Sequence, residues 1–411
     1  MVHLSETDVA VIGAGAAGVA AGKRLLAMKA NFVVLEARSR AGGRAHTERI
    51  GGFPLDLGCG WLHAAERNPW TKIAEAEGLI VDRSPPPWER PPLEYGFAAA
   101  EQRAFRAALT AFYARLDAAE AEPDRALAEF LDPGGKWNAR LNAISTYVNG
   151  VELDRASLAD YAAYDDAGGN WRVAEGYGAA VVAHAKGLPI VFDRAVTAID
   201  HGGKRLRIET ASGALAARAA IVTVPTALIA EETIRFSPKL ADKVEAATAL
   251  PLGLADKSFL SLAEAERFPA DSRLFGKTHA AGMASYHLRP FGRPLIEVYF
   301  GGKLARELEA AGAGALAAFA IEELASLVGS DIRSKLAPLA DTAWARDPFA
   351  RGSYSYALPG HAAARAEFAA PVDDRLFFAG EACSPHHFTT AHGAYETGVA
   401  AADRALAAAK A

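Results

Sequence analysis

Gly13, Gly15 and Gly18 carry the spacing G-x-G-x-x-G, and an acidic residue, Glu36, follows after the length of one helix and one strand. These residue types can hold a phosphorylated ligand. The first glycine permits a tight strand-to-helix turn, the second lets the backbone approach a pyrophosphate, and the third lets the helix lie close to the sheet. Free N–H groups and the dipole at the helix N-terminus then favour an anion. Glu36 can accept hydrogen bonds from both hydroxyls of an adenosine ribose and would repel a 2′-phosphate, so NAD or FAD is expected rather than NADP. Ala16, Ala17 and Ala37 fall in the same binding stretch. The elements that must position these groups are legible: residues 9–12 form an apolar run of strand length, 16–28 read as a helix, and 32–35 as a second buried strand.

Residues 36–44 continue with the pattern E-x-R-x-R-x-G-G-R. This run resembles the two-dinucleotide-binding flavoproteins, in which the second glycine pair (Gly42 and Gly43) and the arginine (Arg44) touch the diphosphate of FAD. Arg44 is a planar fork suited to phosphate oxygens, and Arg38 lies in the same run. FAD is the cofactor expected.

Other candidates have more than one reading from the residues alone. Gly380 follows a buried strand and lets backbone approach a ligand, and Glu381 beside it can hold a ribityl chain or water, or sit in a surface turn. Lys257 lies in a strand pattern, where an inward lysine is costly unless solvated or paired, and where exposure is the ordinary outcome. Tyr354 can orient an amine or hold an ammonium by its ring face, or serve as a core tyrosine. Trp344 and His63 have equally plain structural readings. Cys383, His386, His387 and His392 do not give ligand spacing, since adjacent histidines rarely bind one ion together, and no metal is expected. Cys59 and Cys383 read as buried thiols.

The 411 residues exceed one ordinary core, and half of them are hydrophobic. A net charge of −5 gives no reason to expect nucleic acid or an anionic membrane as partner. No apolar run reaches bilayer length, no charged-then-apolar leader precedes the first strand, and two cysteines make no disulfide framework. A cytoplasmic location is the expectation.

Residues 68–78 read as a helix stopped by glycine, and the proline-rich stretch 84–92 as a boundary. The block from 98 to 166 is helical, with Phe105, Leu109, Phe112 and Leu116 at helical spacing. Strands are expected at 189–192, 196–199, 206–209, 220–225, 253–262, 283–288, 295–300 and 375–378, and helices at 239–247, 304–328 and 394–409. Alanine is enriched throughout, which reads as genomic bias. The fold class expected is α/β: a Rossmann-like FAD-binding domain from residues 1–80, 167–230 and 341–411, with an α+β substrate domain from 81–166 and 231–340 that includes a helical insertion.

Several stretches then resemble the flavin-containing amine oxidases, a family that includes monoamine oxidases, polyamine oxidases and lysine-specific histone demethylases. They are Leu57-Gly-Cys-Gly-Trp-Leu-His63, Lys257, Trp344 with the run to Tyr356, Phe378-Ala-Gly-Glu381, and His392-Gly-Ala-Tyr395. The resemblance spans nearly the whole chain. It implies that Gly58, Gly60, Trp61, Val196, Trp344, Gly380, Glu381 and Ala391 join the FAD site. It places Lys257 near the reactive flavin nitrogen and Tyr354 in an aromatic cage around the substrate amine, with His63 and Thr390 facing substrate.

Two departures matter. Ser353 stands where monoamine oxidases attach FAD through cysteine, so FAD is expected to be non-covalent. Thr390 stands where they have a second cage tyrosine, which implies a more open site. The motifs around His63 and Thr390 are closest to polyamine oxidases, so the resemblance implies a small amine or polyamine as substrate and dioxygen as acceptor. It leaves a homodimer open. An L-amino-acid oxidase, another flavin dehydrogenase, and a flavin-bearing electron-transfer protein remain alternatives.

Overall fold

The protein is described here as a computed structural model covering residues 6–90, 93, 95, 98–165, 167–276 and 282–410. An eight-stranded sheet runs in the order Arg235–Ser237, Val196–Asp200, Leu206–Thr210, Gly213–Val222, Glu6–Ile12, Phe32–Leu35 and Ile190–Val191, with Leu376–Phe378 pairing alongside Gly213–Val222. Glu6–Ile12 lies between two parallel neighbours, with Val9 opposite Phe32 and Ala219. Burial on both faces explains why the central strands read as unbroken apolar runs.

The two ends of the chain meet on one face of this sheet. Helix Ala16–Ala27 packs on helix Ala391–Lys410, and a Cβ placed on Gly398 would stand 2.2 Å from the Ala17 carbonyl oxygen. Ala17, Ala21, Ala394, Ala401, Ala402 and Ala405 are buried in that core. Alanine therefore has a packing reason here, because only small side chains allow such close backbones; composition bias does not describe these positions.

A second, five-stranded antiparallel sheet runs Ser272–Phe275, Ser285–Leu288, Leu295–Gly301, Ala255–Leu262 and Leu336–Asp341. One face carries Leu274, Tyr286, Ile296, Val298, Phe300 and Leu260 onto helices Gly302–Ala311 and Ala315–Val328. The alternate positions point the other way, into a cavity. Helices Ala99–Ala118, Asn138–Val148 and Leu158–Ala163 form a block whose core joins Phe105, Phe112, Leu116, Leu141 and Leu158.

Three expectations change. The helix expected over 304–328 is two helices bent by 119°, broken at Gly312 and Gly314, both at positive φ. Residues 231–250, expected with the substrate domain, belong to the large sheet: Arg235–Ser237 pairs parallel with Val196–Asp200, and Ala246, Ala247 and Leu250 enter its core. The proline-rich stretch, expected as a boundary, instead brings Pro87, Trp88, Glu89 and Arg90 onto a cavity; its Pro91 and Pro92, and Asp166 at the end of the helical block, lie outside the described residues. Among the described residues no single helix is long and apolar enough to cross a membrane.

Candidate active site

A cavity of ≈ 1780 Å³ runs between the two sheets and under the helical block. Gly13, Gly15, Ala16, Ala17, Glu36, Ala37, Arg38, Gly42, Gly43 and Arg44 line it from the first sheet. The strand ends and the turn that begins helix Ala16–Ala27 bring these residues together. Gly13 has φ +102°, and a Cβ on Gly43 would lie 3.1 Å from the Gly15 Cα, so two glycine turns form a bare backbone cradle. Gly18 does not line the cavity. A Cβ there would stand 1.9 Å from the Gly13 carbonyl oxygen, so this glycine acts by letting helix meet strand and not, as a cofactor contact would, by facing the ligand.

Glu36 is buried, accepting from the Ala14 N–H at 2.6 Å and the Arg38 N–H at 2.9 Å. One bond to each oxygen fixes the carboxylate and leaves lone pairs for ribose hydroxyls. Arg38 is fixed in turn by Asp347 at 2.6 Å. Val196 borders the cavity as a buried apolar wall.

Arg44 donates to the Ser353 carbonyl at 2.6 Å and to Glu381 at 3.0 Å. Glu381 also accepts from the Ser355 hydroxyl at 2.7 Å and the Thr389 N–H at 3.0 Å. Burial would raise its carboxyl, but Arg44 and these donors hold it below the usual carboxylate range. Residues 353–389 are thus tied to the first fifty residues at one point. Gly58 is part of this tie, since a Cβ there would stand 1.7 Å from the Arg44 carbonyl oxygen. Trp344, whose indole N–H donates to the Leu57 carbonyl at 3.0 Å, closes the same wall. Gly60, Trp61, Gly380 and Ala391 also line the cavity, Ala391 as the first residue of the last helix.

The cavity face of the five-stranded sheet carries Arg273, Phe275, Ser285, His287, Tyr299 and Lys257. The register sets Phe275 opposite Ser285, Ser285 opposite Tyr299, and Tyr299 opposite Lys257. Lys257 Nζ bonds Glu297 Oε1 and the Asp56 carbonyl, each at 2.8 Å. Burial alone would lower this ammonium, but Glu297, Tyr299 and the Asp56 carboxylate hold it above the usual lysine range. Glu297 is also buried, yet Lys257 and His287 bring it down to about 2. Lys257 is therefore neither an exposed strand lysine nor a free base.

Tyr354 donates to the Tyr147 carbonyl at 2.6 Å and lies within electrostatic reach of Tyr299 and Lys257; burial raises its phenol above the usual range. His63 faces the cavity with Nδ1 on Asn170 Oδ1 at 2.6 Å. Thr390 reaches the cavity, but its hydroxyl donates to the His387 carbonyl at 2.6 Å and accepts from the Gly393 N–H at 3.0 Å. It caps the last helix, and that commitment leaves its hydroxyl poorly placed to act on a substrate. The site also has a second aromatic wall, Tyr299, with Lys257 Nζ 4.8 Å from its ring centroid. Sequence reasoning missed Tyr299, Glu297, His287 and Arg273. Their signal was present: each is a polar or aromatic position alternating with Leu274, Tyr286, Ile296 and Val298 along a strand.

Set against known proteins, the family model of flavin-containing amine oxidoreductases matches residues 16–145 and 115–406. The chain belongs to this family. It is an oxidoreductase of the FAD-dependent amine oxidase type, and the glycine cradle, Glu36 and Arg44 are the groups suited to hold its FAD. It is 29% identical to polyamine oxidase 2 of Arabidopsis thaliana over 96% of this chain and 87% of that protein. It is 27% identical to lysine-specific histone demethylase 1 homolog 2 of the same plant over 98% of this chain, spanning 59% of that longer protein. Wild-type putrescine oxidase bound to putrescine superposes with a TM-score of 0.80 at 17% identity, covering 98% of this chain and 99% of that one. Cyclohexylamine oxidase from Brevibacterium oxydans IH-35A gives 0.77 at 20% identity with the same coverage. These two likenesses describe the fold.

Proposed function

We propose that the protein oxidises the carbon–nitrogen bond of a small primary or secondary amine, a monoamine or a polyamine, to an imine, with dioxygen reduced to hydrogen peroxide. The imine then takes up water to give a carbonyl compound and the released amine. The observation that carries this reading is Lys257, buried, paired with Glu297 at 2.8 Å, and facing the same cavity as Tyr354 and Tyr299. Relatives named for polyamines, putrescine and cyclohexylamine support an amine as the substrate class.

FAD, when bound, supplies the hydride acceptor that no side chain can provide. The chain's own residues supply position and environment. Gly13, Gly15, Gly43 and Arg44 would hold the diphosphate, and Glu36 the ribose, as their cradle and free lone pairs allow. Tyr354 and Tyr299 offer apolar faces that strip water from an incoming amine and orient it. Lys257 stays charged, so it acts as a fixed donor and dipole partner in the cavity wall, not as a proton acceptor. No acid–base dyad is needed for cleavage of the C–H bond.

The test is direct. Purified protein loaded with FAD is mixed with an amine panel without air, and loss of the yellow colour is followed; peroxide is then assayed in air. Bleaching with peroxide release is expected. A flavin that no amine bleaches would leave a binding or electron-transfer protein.

A further inference from the structure

Several arginines at or near this cavity are neutralised by a carboxylate. Arg38 sits on Asp347, Arg44 on Glu381, Arg172 on Asp82 and Asp271, and Arg365 on Asp160, at 2.6 to 3.0 Å. Arg273 differs. Its Nε donates to the Ser285 hydroxyl at 3.2 Å, and among the described residues it forms no other hydrogen bond and no ion pair. The acidic groups along this stretch of the sheet, Asp271 and Glu297, are already occupied: Asp271 by Arg172 at 2.8 Å and His287 at 3.0 Å, Glu297 by Lys257 at 2.8 Å.

Arg273 nevertheless lies deep in the molecule, at the cavity wall. Its guanidinium is 4.1 Å from the Phe275 ring centroid, and that of Arg140 is 4.8 Å from the same centroid. Both arginines border the cavity, as does Tyr299 on the same sheet face as Arg273. Burial pushes Arg273 down to about 10, still charged at neutral pH. A cation at the cavity wall with no counter-ion among the described residues is unfavourable, and an anion brought in by the ligand would relieve it. The fork geometry of a guanidinium suits a carboxylate in particular.

We infer that Arg273 is an anion subsite of the substrate chamber, so that the amine oxidised here also bears a carboxylate. The inference rests on the amine-oxidase reading above and narrows its substrate class. The same positive charge works against a polycation, which would have to place a second ammonium in this chamber.

The experiment uses matched pairs on the FAD-loaded enzyme: leucine against isopentylamine, and 6-aminohexanoate against pentylamine, with putrescine and spermidine as dications. For at least one pair the carboxylate should raise kcat/KM by roughly 10- to 100-fold, the worth of a hydrogen bond to a charged group, with the gain in KM. Arg273→Met should erase that ratio and Arg273→Lys should restore part of it. A second readout needs neither turnover nor the Met variant: hexanoate should perturb the bound flavin spectrum of the wild type saturably, and hexanol should not.

Amines that bleach the flavin with no carboxylate preference, fastest reduction by putrescine or spermidine, or a ratio unchanged in Arg273→Met would overturn the subsite alone. Failure of every amine to bleach the flavin would instead overturn the proposed reaction, and the hexanoate titration would still judge Arg273.

Discussion

Lys257 and Glu297 sit diagonally across adjacent strands, Nζ to Oε1 at 2.8 Å, with side chains only 6% and 12% exposed. Two opposite charges buried this deeply depend on each other. Glu297→Gln keeps the shape and removes the charge, leaving the buried ammonium with neutral oxygen acceptors in place of its carboxylate. Breaking one side of such a pair costs about 3–5 kcal/mol. Because Glu297 titrates near 2 in the folded chain against 4.5 for a free carboxyl, its contribution is full above pH 4.5 and lost as pH falls through about 2. The variant should therefore be less stable at neutral pH and show a shallower acid limb. Urea unfolding between pH 7 and pH 3 checks both; a variant within 1 kcal/mol of the wild type would contradict the pairing.

Lys257→Met tests what the ammonium does in the reaction, at a cost in stability, because it strands Glu297. It removes the fixed ammonium while FAD contacts at the glycine cradle and Arg44 stay intact. Flavin should remain bound and the amine half-reaction or its reoxidation should slow sharply, by roughly 10- to 100-fold if the loss is one charged hydrogen bond. Stopped-flow measurement of each half-reaction decides; unchanged rates with FAD bound would remove Lys257 from the mechanism.

The first of these groups to be legible in the sequence were those tied to local chain geometry. Gly13, Gly15, Glu36, Gly42, Gly43 and Arg44 fall within thirty-odd residues, and strand, turn and helix fix their relation. Gly18 was legible for its packing but not for its distance from the cavity. Lys257 alone said little, because burial and pairing depend on Glu297, forty residues on and across a strand register. Tyr299 was hidden for the same reason: counting from His392 led to Thr390, whose hydroxyl is committed to capping a helix. The break at Gly312 and Gly314 was visible as two glycines, but the apolar period on either side masked it.

Ser353 has a structural task of its own. Its hydroxyl donates to the Ala255 carbonyl and accepts from the Ala255 N–H, each at 2.9 Å, pinning the start of the strand that carries Lys257. A serine oxygen offers no thiolate for a flavin thioether. Acid precipitation of the loaded protein should leave a white pellet and a yellow supernatant. A pellet that keeps its colour would show a covalent link through some other residue.

Gly58→Ala tests the tie between the chain's ends without touching a charged group. The added methyl would meet the Arg44 carbonyl oxygen at 1.7 Å, a backbone atom that cannot swing aside. The segment must shift, and Arg44 with it, away from Glu381 and the Ser353 carbonyl. Weaker FAD retention is expected, measured by flavin recovered after gel filtration, together with lower stability of the apoprotein. Gly52→Ala is the control, since nothing lies within 4 Å of a Cβ there, although its φ of +86° adds some strain. Equal FAD retention in both variants would remove close packing as the reason for glycine at position 58.

The pH dependence of amine oxidation follows from which groups hold their protons. Glu297, Tyr299 and the Asp56 carboxylate keep Lys257 protonated above the usual lysine range, and burial raises the phenols of Tyr299 and Tyr354. None of these three loses its proton on going from pH 7 to 10, so none supplies an alkaline rise in rate. The amine itself does: only its neutral form can give up hydride, and the charge that Lys257 keeps across this range disfavours a second cation in the chamber. The rate of flavin reduction at low substrate should therefore rise with pH, with a midpoint that follows the substrate. Benzylamine and hexylamine differ enough in basicity to show it, and the midpoint should be lower for benzylamine. One common midpoint for both amines would assign the ionisation to the protein and return Lys257 or a tyrosine to the role of base.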